Sequence, residues 1–151
     1  MNAIKQQPIL SVPGKDTNLA NPGSDVFHRV KSGDTNGVFS TVEIVTQPGQ
    51  GVKVHVHTHE DELVYVIEGE IEVTLGEQKM KATAGVLALL PRGIPHGFSN
   101  IGSQPSRILD VIMPGNFDNY FVELHNLYNG ANKADEAKLA ALAAKFDIRY
   151  L

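Results

Sequence analysis

The stretch whose reading decides the fold is Gly49-Gln50-Gly51-Val52-Lys53-Val54-His55-Val56-His57-Thr58-His59-Glu60-Asp61-Glu62. In an extended strand, side chains two apart lie on one face, roughly 6.6 Å apart along the axis. His55 and His57 therefore point the same way, while Val54 and Val56 point the other. Glu62 follows after a turn and can return a carboxylate to the same place. Imidazole and carboxylate suit a divalent transition metal (Fe, Mn, Ni, Cu or Zn), and bind it as the neutral and ionised forms. His-x-His strings also occur in polar, histidine-rich surface loops, and His57-x-His59 offers a second register. This segment alone leaves both readings open.

The second informative stretch is Gly85-Val86-Leu87-Ala88-Leu89-Leu90-Pro91-Arg92-Gly93-Ile94-Pro95-His96-Gly97-Phe98-Ser99-Asn100. An apolar strand runs into a Pro-x-Gly turn, whose residue types allow a tight reversal. His96 then opens the next strand, aimed back toward the interior.

Taken together, the two stretches resemble the paired motifs of the cupin superfamily. Gly49, His55, His57, Glu62 and Gly69 match the first motif without a gap, and Gly85, Pro91, Gly93, His96 and Asn100 match the second. The fifteen residues between Gly69 and Gly85 resemble the spacer of small microbial members. The resemblance covers residues 38–113. It implies a mainly β fold, the double-stranded β-helix or jelly-roll barrel, and it implies that His55, His57, Glu62 and His96 bind one divalent metal ion. His59 does not fit the family spacing and is expected at the mouth or behind a ligand. His28 and His125 lie outside both motifs, and surface or packing roles are expected for them.

Outward from the motifs the chain reads as short strands punctuated by turn signals, at 27–31, 38–46, 52–57, 62–67, 70–75, 79–82, 86–90, 97–101 and 107–113. Glu70 to Leu75 alternates, so Ile71, Val73 and Leu75 share a buried face. After Pro114-Gly115 the period changes. Phe117, Tyr120, Phe121, Leu124, Leu127 and Tyr128 fall at helical spacing, and Asn129-Gly130 ends that helix. A second, alanine-rich helix is expected from Asn132 to Phe146, with Leu139, Leu142 and Phe146 as its buried stripe. The organisation expected is an extended arm over 1–24, a barrel over 25–114 and two helices over 115–151 packed on it.

The 151 residues suit one domain. Net charge is −4 without a basic stripe, which argues against nucleic acid and anionic membranes as partners. No cysteine is present, so thiolate ligands, disulfides and cysteine nucleophiles are excluded. Neither a signal peptide pattern nor a spanning apolar run is read in the sequence, giving the expectation of a cytoplasmic protein.

Four protein ligands on an octahedral ion leave two positions open for oxygen, water or a small-molecule substrate. Alternation places Phe98 inward with His96, and Val64 and Val66 inward with Glu62, an apolar pocket beside a polar centre. Lys53 shares the parity of His55 and is expected at the mouth, either holding an anionic substrate group or, more readily, snorkelling to solvent; Arg92 is expected in solvent. The resemblance extends to quercetin dioxygenase-like small cupins, which implies a metal-dependent dioxygenase acting on a small aromatic or oxygenated metabolite. Glu62 would be both ligand and proton acceptor. Cupins with these ligands also include isomerases, decarboxylases and oxalate-degrading enzymes, and a non-catalytic binding module stays open beside them. A homodimer is expected by the same resemblance, through sheet faces and an exchanged arm.

Overall fold

The structure, a computed structural model, describes residues 7–131 and 133–151. Residues 1–6 of the expected arm and Asn132, the expected start of the second helix, lie outside the described residues. Ten strands, β1 (Ser24–Val30), β2 (Ser40–Thr46), β3 (Gly51–His57), β4 (Asp61–Glu68), β5 (Glu70–Leu75), β6 (Gln78–Thr83), β7 (Leu87–Leu90), β8 (His96–Asn100), β9 (Ser106–Met113) and β10 (Ile148–Tyr150), form two five-stranded sheets. One sheet has the order β1-β2-β9-β4-β7 and the other β10-β3-β8-β5-β6, all neighbours antiparallel. Apart from the hairpins β1-β2 and β5-β6, consecutive strands alternate between the sheets, as in a jelly roll, which leaves an interior between two inner faces.

The interior follows from alternation. In β9 the inward residues Ser106, Ile108, Asp110 and Ile112 are all buried, while Arg107, Leu109, Val111 and Met113 face outward. Val42, Ile44 and Val66 flank Ile108 and Ile112 on the same sheet, and Ile71 joins this core from the opposite one. Burying such a side chain is worth about 1.5–3 kcal/mol each. The second motif's asparagine secures one end. Asn100 Nδ2 donates to the carbonyls of Thr46 (2.8 Å) and Gln104 (2.9 Å), and its Oδ1 accepts from the Gly102 amide.

Two helices follow the barrel, α1 (Asp118–Tyr128) and α2 (Glu136–Lys145). Asn129 ends α1 in the left-handed conformation at φ 43°, and Asp135 caps α2 by accepting from the Lys138 amide. A buried carboxylate ties α1 to the barrel: Asp118 accepts from the Ser32 amide (2.8 Å) and hydroxyl (2.9 Å) and lies 2.8 Å from His28 Nε2. His125 meets the Ala20 carbonyl through Nδ1. Both outlying histidines are therefore packing residues.

The structure corrects two expectations at the chain ends. The segment before residue 24 is not a free arm throughout, because Leu19 is buried in the core and its amide donates to Val26 O, extending the edge of β1. One apolar residue among polar neighbours gives no alternation to read. At the other end the chain does not finish as helix. Ile148–Tyr150 pairs with His57, Val56 and His55 as β10, a strand of three residues, too short for any period to show. No helix among the described residues is long and apolar enough to cross a membrane.

Candidate metal centre

Each of the four expected ligands reaches the barrel interior by a different local device. His55 and His96 are cross-strand partners on β3 and β8. Gly93, at φ 78°, makes the Pro-x-Gly reversal that returns the chain into β8. Glu62 stands near the start of β4, opposite Leu90 on β7 and Ile112 on β9. His57 ends β3 beneath Phe117, whose ring meets it edge to face at 4.4 Å.

Between Val52 and His55 the pairing of β3 with β8 shifts register by one residue, a β-bulge. The bulge overturns the parity argument for Lys53. Val52 and His55 both line the interior, whereas Lys53 is exposed on the outside and contributes only its carbonyl, 2.8 Å from His55 Nδ1. The facing residue must be glycine: a Cβ at Gly97 would meet Val52 O at 2.7 Å and Val54 N at 2.9 Å.

The four side chains are all buried, and one ligand atom from each lies within 4.8 Å of all the others. His55 Nε2 is 3.1 Å from His57 Nε2; Glu62 reaches His57 Nε2 at 3.2 Å and His96 Nε2 at 3.0 Å. Adjacent ligand atoms around an ion with bonds of about 2.1 Å lie about 3 Å apart, so these spacings suit one metal. The opposite ring nitrogens are held from behind. His55 Nδ1 lies 2.8 Å from Lys53 O and His96 Nδ1 3.0 Å from Ile94 O, so each N–H donates to a carbonyl and presents a bare Nε2. His96 Nε2, though near Glu62, is not aligned for a hydrogen bond and has no other partner among the described residues. Three nitrogens and a carboxylate converging on one point, with His96 Nε2 unpartnered, are what a cation would satisfy.

The electrostatics place the charges: a metal would find His55 neutral and Glu62 ionised, and would displace a proton from His57. Burial lowers His55 to about 4, further aided by neighbouring His96, so the ring stays neutral. Burial would also lower His57, but the carboxylates of Glu60 and Glu62 outweigh it and raise that ring to about 9. Glu62 is held well below the usual carboxylate range: burial opposes this, and His57 and His96 overcome it. An ionised Glu62 among imidazoles is a ready cation site.

Above the cluster the C-terminal segment forms a cap. Phe117 stacks on Tyr120, and the hydroxyls of Tyr120 and Tyr150 are 2.7 Å apart, with the Tyr150 ring beside His55. Cluster and cap border a cavity of about 80 Å³, walled mostly by apolar side chains that include Val64, Val66 and Phe98. That is room for several waters or one compact organic molecule.

Some expected residues fall elsewhere. His59 is exposed, 3.0 Å from Asp147 on the outer surface, and takes no part in the cluster. Arg92 is half exposed and forks onto Asp61. Two carboxyls the sequence reading passed over are buried at the site. Glu60 faces His57 Nδ1 at 3.3 Å; it sits in a turn beside His59 and Asp61, and only the fold shows which of them turns in. Asp110 lines the cavity. Its signal was legible, a lone acid at an inward position between Ile108 and Ile112.

The family description "Cupin domain" matches residues 42–112. This chain contains a cupin domain. Similar proteins place its barrel in varied company. The cupin region is 29% identical over 85 residues to the polyketide synthase CurC of Streptomyces cyaneus, covering 56% of this chain and 54% of that one. It is 27% identical over 124 residues to the quercetin 2,3-dioxygenase of Bacillus subtilis, covering 78% of this chain and 36% of the relative. Matches to these curated relatives thus span about half of their length or less. Among solved structures, a predicted oxalate decarboxylase from Thermotoga maritima superposes with a TM-score of 0.66 at 19% identity, over 70% of this chain and 99% of that one. That likeness is one of fold.

Proposed function

We propose that this cupin domain binds one divalent transition metal through His55, His57, Glu62 and His96, and acts with it as a dioxygenase on a small oxygen-bearing metabolite. The observation that carries the reading is the convergence of three histidine Nε2 atoms and the Glu62 carboxylate, with the Nδ1 atoms of His55 and His96 turned to backbone carbonyls. Bound there, a metal supplies Lewis-acid or redox chemistry to an oxygen of the substrate. The chain's own residues do the rest. His55 stays neutral, backbone carbonyls orient the rings of His55 and His96, Glu60 backs His57, and the ionised Glu62 can accept a proton from a substrate hydroxyl. The Phe117–Tyr120–Tyr150 cap and the apolar walls keep bulk water from the reacting oxygen. The cavity favours a compact substrate over a multi-ring one. Similarity to a quercetin 2,3-dioxygenase supports oxygen chemistry.

The reading is tested by oxygen uptake. Metal-loaded protein is incubated under air with small phenols, enolisable ketones, flavonols and oxalate. Uptake with one of these, lost in Glu62→Ala and His96→Ala, is expected. Saturable binding without turnover would instead make the domain a binding module.

We also propose that two copies pair through the outer face of the β1-β2-β9-β4-β7 sheet. Leu89, Leu63 and Val111 form one cross-strand row there, and Leu87, Tyr65 and Leu109 the next. Leu87 and Leu89 are 60% and 57% exposed. The ion pairs of Glu43 with Arg29 and Arg107 flank these rows, giving the apolar centre and charged rim of a self-complementary interface.

A further inference from the structure

Asp110 has no evident structural purpose. It occupies an inward position of β9 between Ile108 and Ile112, is 4% exposed, and lines the cavity. Among the described residues no hydrogen bond or ion pair reaches its side chain, and its Oδ1 is fully enclosed. Leaving a buried polar group without a partner costs about 1–3 kcal/mol. An apolar residue would fill the same place without that cost, so the carboxyl has to be explained by something that enters the cavity.

Its position relative to the cluster says what that is. Glu62 faces Ile112 across the sheet and Asp110 faces Val64, so the two carboxyls are diagonal neighbours on adjacent strands. The backbone positions of such neighbours are about 7–8 Å apart, within reach of one compact molecule. Between them the walls are apolar. We propose that Asp110 is the second polar anchor of this cavity, holding the hydroxyl of a short aliphatic ligand whose other oxygen lies at the His55–His57–Glu62–His96 cluster. The assignment rests on the metal reading above and narrows its substrate to compact molecules with oxygens at both ends. Burial, reinforced by the charge of Glu62, raises Asp110 well above the usual carboxylate range. A carboxyl can accept from a hydroxyl, and its own oxygens disfavour an anionic group, which suits the hydroxyl end of such a ligand.

Butyrate and γ-hydroxybutyrate are the probe pair, differing only by a terminal hydroxyl. Calorimetric titration into zinc-loaded protein avoids turnover, and zinc content is measured alongside. Wild type is expected to bind γ-hydroxybutyrate about tenfold more tightly, the worth of one buried hydrogen bond. Asp110→Leu is expected to lose that preference at unchanged zinc content, and Asp110→Asn to keep part of it. Lack of preference in the wild type, which needs no variant to fold, overturns the assignment. So does a preference that survives in Asp110→Leu. Failure of the wild type to take up zinc would sink the metal reading itself, and the assignment with it.

Discussion

The Glu60 carboxylate lies 3.3 Å from His57 Nδ1, on the ring's far side from Glu62, so that His57 is held between two carboxylates. A carboxylate behind a ligating imidazole orients the ring and makes its other nitrogen more basic. Both contact atoms are buried and otherwise unpartnered among the described residues.

Glu60→Gln should therefore weaken metal affinity about 10–100-fold without unfolding the barrel. Competition with a chromophoric chelator measures this, with circular dichroism as the check on folding. Unchanged affinity would remove Glu60 from the site.

Asp118 supplies a pH prediction. Burial alone would raise its pKa, but hydrogen bonds from His28 and Ser32 overcome that and hold it low. A carboxyl depressed by folding contributes stability above its unfolded value of about 4, and loses it as pH falls through the folded value. Asp118→Asn should be about 2–4 kcal/mol less stable at neutral pH. The gap should narrow as urea denaturation is repeated below about pH 4. A constant gap would contradict the linkage.

The paired-barrel proposal predicts that Leu87→Glu combined with Leu89→Lys yields monomers while the wild type sediments as a dimer. A wild type that sediments as a monomer at micromolar concentration refutes the pairing.

Strand β10 predicts a cost at Ile148, which is 6% exposed and packs in the core beneath the cap. Ile148→Ala should destabilise the protein by about 2–5 kcal/mol and speed hydrogen exchange along β3, the strand it pairs with. If exchange along β3 is unaffected, β10 is not closing that edge.

How much of this was legible follows from how local each signal is. The barrel strands were readable because alternation and Gly or Pro turns are properties of short windows, and Glu70–Leu75 starts and stops where expected. His55, His57, Glu62 and His96 were readable because three histidines and a glutamate stand at fixed spacing from the glycines and proline of two motifs, which leaves little freedom. Lys53 was misplaced because a bulge inserts one residue and reverses parity, and nothing in Val-Lys-Val announces it; the sign lay on the facing strand, at Gly97. Leu19 and Ile148–Tyr150 were hidden for a different reason. Each joins the sheet through backbone hydrogen bonds over too few residues to show a period. Glu60 and the Phe117–Tyr120–Tyr150 cap depend on contacts distant in sequence, which only the folded chain reveals.

The central claim is that His55, His57, Glu62 and His96 hold a metal ion. Elemental analysis of protein purified without added metal, then reconstituted and desalted, tests it most directly. One equivalent of a divalent transition metal per chain is expected, lost on His96→Ala and on chelation, with a lower melting temperature in both cases. A wild type that retains no more metal than His96→Ala after reconstitution would contradict the account.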